Sequence, residues 1–229
     1  MTYIAENIKR LRADIGEAAI KSGRSPEDVT LVAASKMKSA EMIKQAIAAG
    51  VDAVGENRVQ ELLEKQTLDA YRGAPLHFIG HLQSNKVRQI VGVCDLIESV
   101  SSPALVELIG KKAVSLGIVQ NVLLEINIGK EPQKSGVLPE QTEEILEKAS
   151  QTKGIYVRGL MAVPPIFGEK DTESYYFDAM FHLFVDMSKK KYDNVSMDFL
   201  SMGMSDSYTE AILSGSNVVR IGTAIFGER

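Results

Sequence analysis

The stretch Leu31-Val32-Ala33-Ala34-Ser35-Lys36-Met37-Lys38 decides how the chain folds. Its apolar run reads as a buried strand over Val29–Ser35, and Met42, Ile43, Ala46 and Ile47 then recur at helical spacing behind Ser39, a residue type that caps helices. A strand that passes into a helix is the unit of a parallel sheet, because the crossover returns the chain to the same end. The fingerprint G-x-G-x-x-G, which a doubly wound dinucleotide-binding sheet carries after its first strand, is missing, and Ser35-Lys36-Met37-Lys38 stands there instead.

Outward from that stretch the alternation repeats. Further strands are expected at Ala53–Gly55, Leu76–Gly80, Leu96–Val100, Val122–Ile128, Ile155–Val163, Phe199–Met202 and Val218–Gly222. Ser102 followed by Pro103, and Ser205-Asp206 before Ala211 and Ile212, read as helix starts. An additional helix with Ile4, Ile8, Leu11 and Ile15 on one face precedes the first strand. Eight strand–helix units favour closure into an α/β fold of the (β/α)8, TIM-barrel type, with an open doubly wound sheet as the alternative. The chain, at 229 residues, is short for such a barrel, so its loops should be tight. No linker of Pro, Gly and Ser divides it, and residues 1–229 are read as one domain.

A formal charge of -4 and a pI near 5.5 speak against nucleic acid or an anionic membrane as main partner. The longest basic run, Lys189-Lys190-Lys191, is short and reads as solvated. The single cysteine, Cys94, cannot form an internal disulfide and reads as the edge of the core. With no apolar signal-peptide core and no membrane-length apolar run, a cytoplasmic protein is expected.

A barrel concentrates chemistry at the C-terminal ends of its strands, and it commonly holds phosphate in the loops after strands seven and eight. Lys36 ends strand one, Ser201-Met202-Gly203-Met204-Ser205 follows strand seven and Gly222-Thr223 follows strand eight, which neighbours strand one on closure. A lysine reached through an apolar run suits nucleophilic attack on an aldehyde, although a strand-end lysine also commonly snorkels to water. Lys38 is the competing amine, on the same face by period two and further out. Gly222 lets the backbone approach a phosphate, or it marks a plain strand end, with Thr223 as one more core residue. Arg220 puts a permanent charge in an apolar strand, so it either reaches solvent on the helix side or meets an acceptor inside the site. Lysine and cradle together point to a phosphorylated aldehyde.

Six stretches carry a family resemblance: Ser35-Lys36, Gly55-Glu56-Asn57-Arg58-Val59-Gln60-Glu61, His77-Phe78-Ile79-Gly80-His81-Leu82-Gln83-Ser84-Asn85-Lys86, Gly159-Leu160-Met161, Leu200-Ser201-Met202-Gly203-Met204-Ser205 and Arg220-Ile221-Gly222-Thr223-Ala224-Ile225-Phe226-Gly227. In these the chain resembles the pyridoxal phosphate homeostasis proteins over nearly its whole length. The resemblance implies a barrel like the N-terminal domain of alanine racemase, with pyridoxal 5'-phosphate (PLP) held as a Schiff base on Lys36. It further implies Ser201 and the backbone of Gly222 and Thr223 on the phosphate, and Asn57 near the ring substituents. Arg220 aligns with an arginine that faces the pyridine nitrogen, with contact to the phosphate as its competing role. Asn57 also reads as the cap of the helix through Val59, Leu62 and Leu63. The family often has threonine and proline where Met37 and Ser39 stand. His77 and His81, on a strand and its loop, are not read as a metal pair, and His81 is given no role.

The resemblance implies a role in PLP homeostasis, read as a carrier that meets apo-enzymes transiently; the sequence leans against catalysis of its own, and a monomer is expected without the second domain through which alanine racemases pair. Racemisation would need a second acid or base on the cofactor face opposite the lysine. In alanine racemase a second domain supplies that group, whereas this sequence stops at Arg229, and Tyr208 is the one tyrosine to examine as a substitute. Two rivals stand beside this reading. One is a PLP-dependent racemase or lyase with Lys36 as one base, and the other an aldolase-like barrel acting on a sugar phosphate through Lys36 without a cofactor.

Overall fold

Parallel pairing runs around β1 (Thr30–Ala34), β2 (Ala53–Glu56), β3 (Leu76–Phe78), β4 (Leu96–Val100), β5 (Gln120–Ile126), β6 (Ile155–Ala162), β7 (Val195–Ser201) and β8 (Val218–Ile221), and closes where β8 meets β1. The computed structural model describes residues 2–165 and 170–228, leaving Arg229 outside. Helices α1 (Tyr3–Lys21), α2 (Ala40–Ala48), α3 (Val59–Gln66), α4 (Val87–Ile90), α5 (Pro103–Ser115), α6 (Thr142–Ser150), α7 (Lys170–Ser188), α8 (Tyr208–Leu213) and α9 (Thr223–Phe226) accompany the strands. This is the (β/α)8 barrel expected from the alternation, preceded by the expected extra helix.

Ile4, Ile8, Leu11 and Ile15 of α1 are all buried, in one cluster with Leu31, Ala33, Val219 and Ile221. That helix covers the outside of the seam between β1 and β8. Asn7 Nδ2 donates to the Ile225 carbonyl at 3.0 Å, fastening α1 to α9. On the β7 side the seam has one strand-register pair, Ser201 with Val218. The buried Ser216 hydroxyl reinforces it through contacts with the carbonyls of Leu200, Met202 and Val218 at 2.8–3.0 Å.

Side chains alternate across each strand, so the inward set can be followed by twos. At the bottom, Val32, Ala53, Val218 and Phe199 form one small cluster, and Leu96, Leu123 and Met161 another. Two residues further along the same strands come Gly55, Glu98, Glu125, Ser201 and Arg220, so a polar layer lies above the apolar plug. The next positions in that count include Lys36, Asn57 and Gly222, at the C-terminal mouth.

Several boundaries differ from the sequence reading. β5 starts at Gln120 and ends at Ile126, two residues earlier at each end, because Asn127 folds the next loop back. Its side chain accepts from the Glu131 N–H at 3.1 Å and donates to the Glu131 carbonyl at 2.9 Å, while Ile126 bridges Val137. β7 begins at Val195, a start concealed by the exposed Asp198. Ser39 and Ser102 cap α2 and α5 as expected. Ser205-Asp206 does not cap α8, whose cap position is Ser207, and Arg58 rather than Asn57 holds the cap position of α3.

Candidate cofactor site at the mouth of the barrel

The register of the seam sets Val32 beside Arg220 and Ala33 beside Ile221, so the loop after β1 and the turn after β8 share one lip of the mouth. A Cβ on Gly222 would stand 3.2 Å from the Ala34 carbonyl oxygen, an approach that leaves little room for a side chain. Thr223 opens α9, where the first N–H groups of a helix have no partner within it. The Ala224 N–H is taken by Ser205 Oγ at 3.3 Å, whereas the N–H groups of Gly222 and Thr223 have no protein acceptor among the described residues. Two backbone donors and a hydroxyl therefore converge beside the Lys36 loop.

Arg220 resolves its two alternatives inward. It is 5% exposed, and its guanidinium donates to Ser201 Oγ through Nη1 and to the Ala162 carbonyl through Nη2 at 2.9 Å. Ser201 Oγ in turn donates to Glu98 Oε2 at 2.6 Å, and Glu98 Oε1 lies 2.7 Å from His77 Nδ1. Burial lowers the Arg220 pKa from its ordinary value, against the raising influence of Glu98 and Glu125. Burial alone would raise the Glu98 carboxyl, but the hydrogen bond and charge of His77, the Arg220 charge and the Ser201 hydroxyl outweigh it and hold Glu98 below the ordinary carboxylate value. Ser201 is thus fully buried one layer beneath the mouth. The serine set beside Gly222 and Thr223 is Ser205.

Lys36 lies two residues beyond the end of β1, half-buried, and its ammonium makes no hydrogen bond or ion pair among the described residues. Its neighbours are occupied. Lys38 Nζ donates to the Gly227 carbonyl at 3.1 Å and the Glu228 carbonyl at 3.4 Å, while Lys65 Nζ binds Glu56, Glu61 and the Ser35 carbonyl. Lys36 and Lys38 do not share a strand face, because Met37 adopts φ 60° and the chain turns there. A left-handed conformation costs a residue with a side chain about 1 kcal/mol or more. The Met37 N–H finds compensation in Glu61 Oε2 at 2.8 Å.

Asn57 is half-buried after β2, and a Cβ on Gly80 would fall 2.1 Å from its carbonyl oxygen, so the loops after β2 and β3 touch at backbone level. Exposed His81 borders a cavity of about 520 Å³ with Glu125, Asn127, Lys134, Ser135 and Val163, on the side of β3, β5 and β6. Burial raises the Glu125 carboxyl, against the lowering effects of the Ser135 hydroxyl, His81 and Arg220. Tyr208 lies outside the barrel wall, donating to Asp14 Oδ2 of α1 at 2.9 Å; burial, with that contact, pushes its phenol up to about 12. Cys94 is buried, and burial pushes its thiol up to about 12. No group of side chains suited to a metal occurs among the described residues, and no helix there is long and apolar enough to cross a membrane.

The sequence reading passes over Glu98 and Glu125, considers His77 only as a metal ligand, and takes Ser205 as a helix start within the stretch after strand seven. For Glu98 and Glu125 the available signal was their place in the count by twos: an acidic residue at an inward position of a barrel strand needs a partner.

Residues 4–229 match the alanine racemase N-terminal domain family. A pyridoxal phosphate homeostasis protein of Aquifex aeolicus is 38% identical, over 98% of this chain and 97% of its own length. One of the same name from Pseudomonas aeruginosa is 39% identical, over 100% of this chain and 97% of its own length. Among solved structures, PipY of Synechococcus elongatus with PLP bound is 32% identical and superposes with a TM-score of 0.84, covering 98% of this chain and 100% of PipY. With the barrel, the matched motifs and near-complete overlap in both directions, the chain belongs to the alanine racemase N-terminal domain family and, within it, to the pyridoxal phosphate homeostasis proteins.

Proposed function

We propose that this chain binds PLP at the mouth of the barrel, attached covalently through Lys36, and serves in PLP homeostasis as a carrier without catalysis of its own. The observation that carries the reading is the pairing of an unengaged Lys36 ammonium with the donors of Gly222, Thr223 and Ser205 on the same lip. When bound, the cofactor supplies an aldehyde whose carbon bonds Lys36 Nζ with release of one water.

The backbone donors of Gly222 and Thr223, with Ser205 Oγ, hold the phosphate. Arg220 lies below them, inside the barrel, and serves the pyridine nitrogen, a hydrogen-bond donor there leaving the ring a weak electron sink. Ser201, expected on the phosphate, acts one step back by holding Arg220, with which it shares a hydrogen bond. Asn57 borders the ring substituents from the loop after β2.

Two observations support a carrier rather than a racemase. Tyr208 is bonded to Asp14 outside the barrel, away from any position opposite Lys36. Glu98 is turned toward His77 and Ser201, and so is engaged within the polar layer. We place the protein in the cytoplasm as a monomer that meets apo-enzymes transiently; a lone buried cysteine fits a reducing compartment.

The test is reduction of the PLP-soaked protein with borohydride, followed by peptide mapping. A reduced adduct on Lys36 is expected, and a protein that stays colourless and unmodified would overturn the reading. α-Proton exchange into deuterated water from any of a panel of amino acids would overturn the absence of catalysis. Transfer to an apo-enzyme in the presence of a scavenger of free PLP tests delivery, and light scattering tests the monomer.

A further inference from the structure

We infer that Lys65, on α3, is a positioning residue for Lys36, acting through a clamp on both peptide groups that flank it. The inference rests on the reading of Lys36 as the covalent attachment point.

The peptide before Lys36 is held by its carbonyl, since Lys65 Nζ donates to Ser35 O at 2.9 Å. The peptide after it is held by its N–H, which donates from Met37 to Glu61 Oε2 at 2.8 Å. The two anchors are joined to each other, because Lys65 Nζ also reaches Glu61 Oε2 at 3.3 Å. A second brace lies beneath: Glu56 Oε1 accepts from Lys65 at 2.6 Å, from Ser35 Oγ at 2.6 Å and from Tyr71 Oη at 3.1 Å. The Lys65 ammonium and the Glu61 carboxylate it binds together restrain the two soft dihedrals at the Lys36 Cα, and with them the direction in which its side chain leaves the backbone.

Burial makes the arrangement stiff. Lys65 is 8% exposed and Glu56 fully buried, so neither can exchange its partner for water without moving α3. Glu61 stays ionised: burial would raise it, but the Met37 N–H, Lys65 and Arg58 together hold it below the ordinary value. The Lys38 N–H closes the turn onto the Ser35 carbonyl at 3.0 Å, and Glu61 gives the Met37 N–H its acceptor; without Glu61 the left-handed Met37 keeps only the turn bond, and the segment that carries Lys36 loosens. The cradle at Gly222 and Thr223 lies on other strands and keeps its form.

The experiment separates covalent attachment from binding. Lys65→Met and Glu61→Ala are compared with the unaltered protein for adduct formation with PLP, read by absorbance and by mass after reduction. Each is also titrated with pyridoxamine 5'-phosphate, which has the ring and phosphate but no aldehyde. We expect adduct occupancy at limiting PLP to fall by about tenfold or more in both variants. Affinity for the amine analogue should stay within about twofold. Should Lys65→Met fail to fold, Glu61→Ala, altered at a half-buried position, decides. Unchanged adduct formation in Glu61→Ala, or a parallel loss of adduct and analogue affinity, would overturn the positioning role. An unaltered protein that binds the analogue yet forms no adduct would instead remove the premise at Lys36, and the inference with it.

Discussion

Ser201 Oγ donates to Glu98 Oε2 at 2.6 Å, joining β7 to β4 through the interior of the barrel. Glu98 is the buried carboxylate nearest the Arg220 guanidinium, at 3.8 Å from Nη1, and it also anchors His77. Placing these charges where water cannot reach them makes each dependent on the others.

Glu98→Ala should therefore destabilise the fold by about 3–5 kcal/mol, the range for leaving one member of a buried pair uncompensated. Urea unfolding at neutral pH, followed by circular dichroism, measures it. A loss below about 1 kcal/mol, as for an exposed pair, would mean that water reaches the layer.

The two carboxyls of this layer respond oppositely to pH. Glu98 is held below its ordinary 4.5, so its contribution is full above that value and fades as pH falls through the lower folded value. Glu125 is raised above 4.5, so its contribution is full below that value and fades as pH rises through the higher folded value. Glu98→Gln should cost more stability at pH 7 than at pH 3, while Glu125→Gln should gain relative to the unaltered protein between pH 4 and pH 7. Thermal melts across that range check both signs.

Lys36→Ala should abolish covalent attachment of PLP but retain phosphate-dependent affinity, since the Gly222 and Thr223 donors are untouched. Fluorescence titration with PLP, with inorganic phosphate as competitor, provides the readout. Loss of all binding would show that the cradle has been assigned to the wrong turn.

Gly80→Ala places a methyl 2.1 Å from the Asn57 carbonyl oxygen, a backbone atom that cannot step aside. The loops after β2 and β3 must separate, at a cost of about 1–3 kcal/mol. PLP affinity should fall with it, which a calorimetric titration would register.

The barrel was legible because its strands are apolar runs separated by helical spacing, and Lys36 and Arg220 stood out as charges within such runs. Other parts were concealed for identifiable reasons. Glu125 stands between Leu124 and Ile126, and Glu98 between Ile97 and Ser99, patterns that in a sheet with one wet face would mean solvent. Lys38 follows Lys36 by two residues, yet the positive φ of Met37 breaks the strand logic between them, and no residue type announces it. Ser205 resembled a helix cap, and its contact with the Ala224 N–H joins two turns whose meeting only the closed barrel reveals. Gln120 and Asn121 hid the start of β5 because a polar strand end looks like loop.

The seam between β8 and β1, covered by α1 and pinned by Asn7 to Ile225, also constrains how the molecule is made. On the ribosome, β1 presents a bare hydrogen-bonding edge and α1 an uncovered apolar stripe until residues 218–226 have emerged. Closure waits for β8 and α9, and until they arrive the nascent barrel is an open, adhesive sheet.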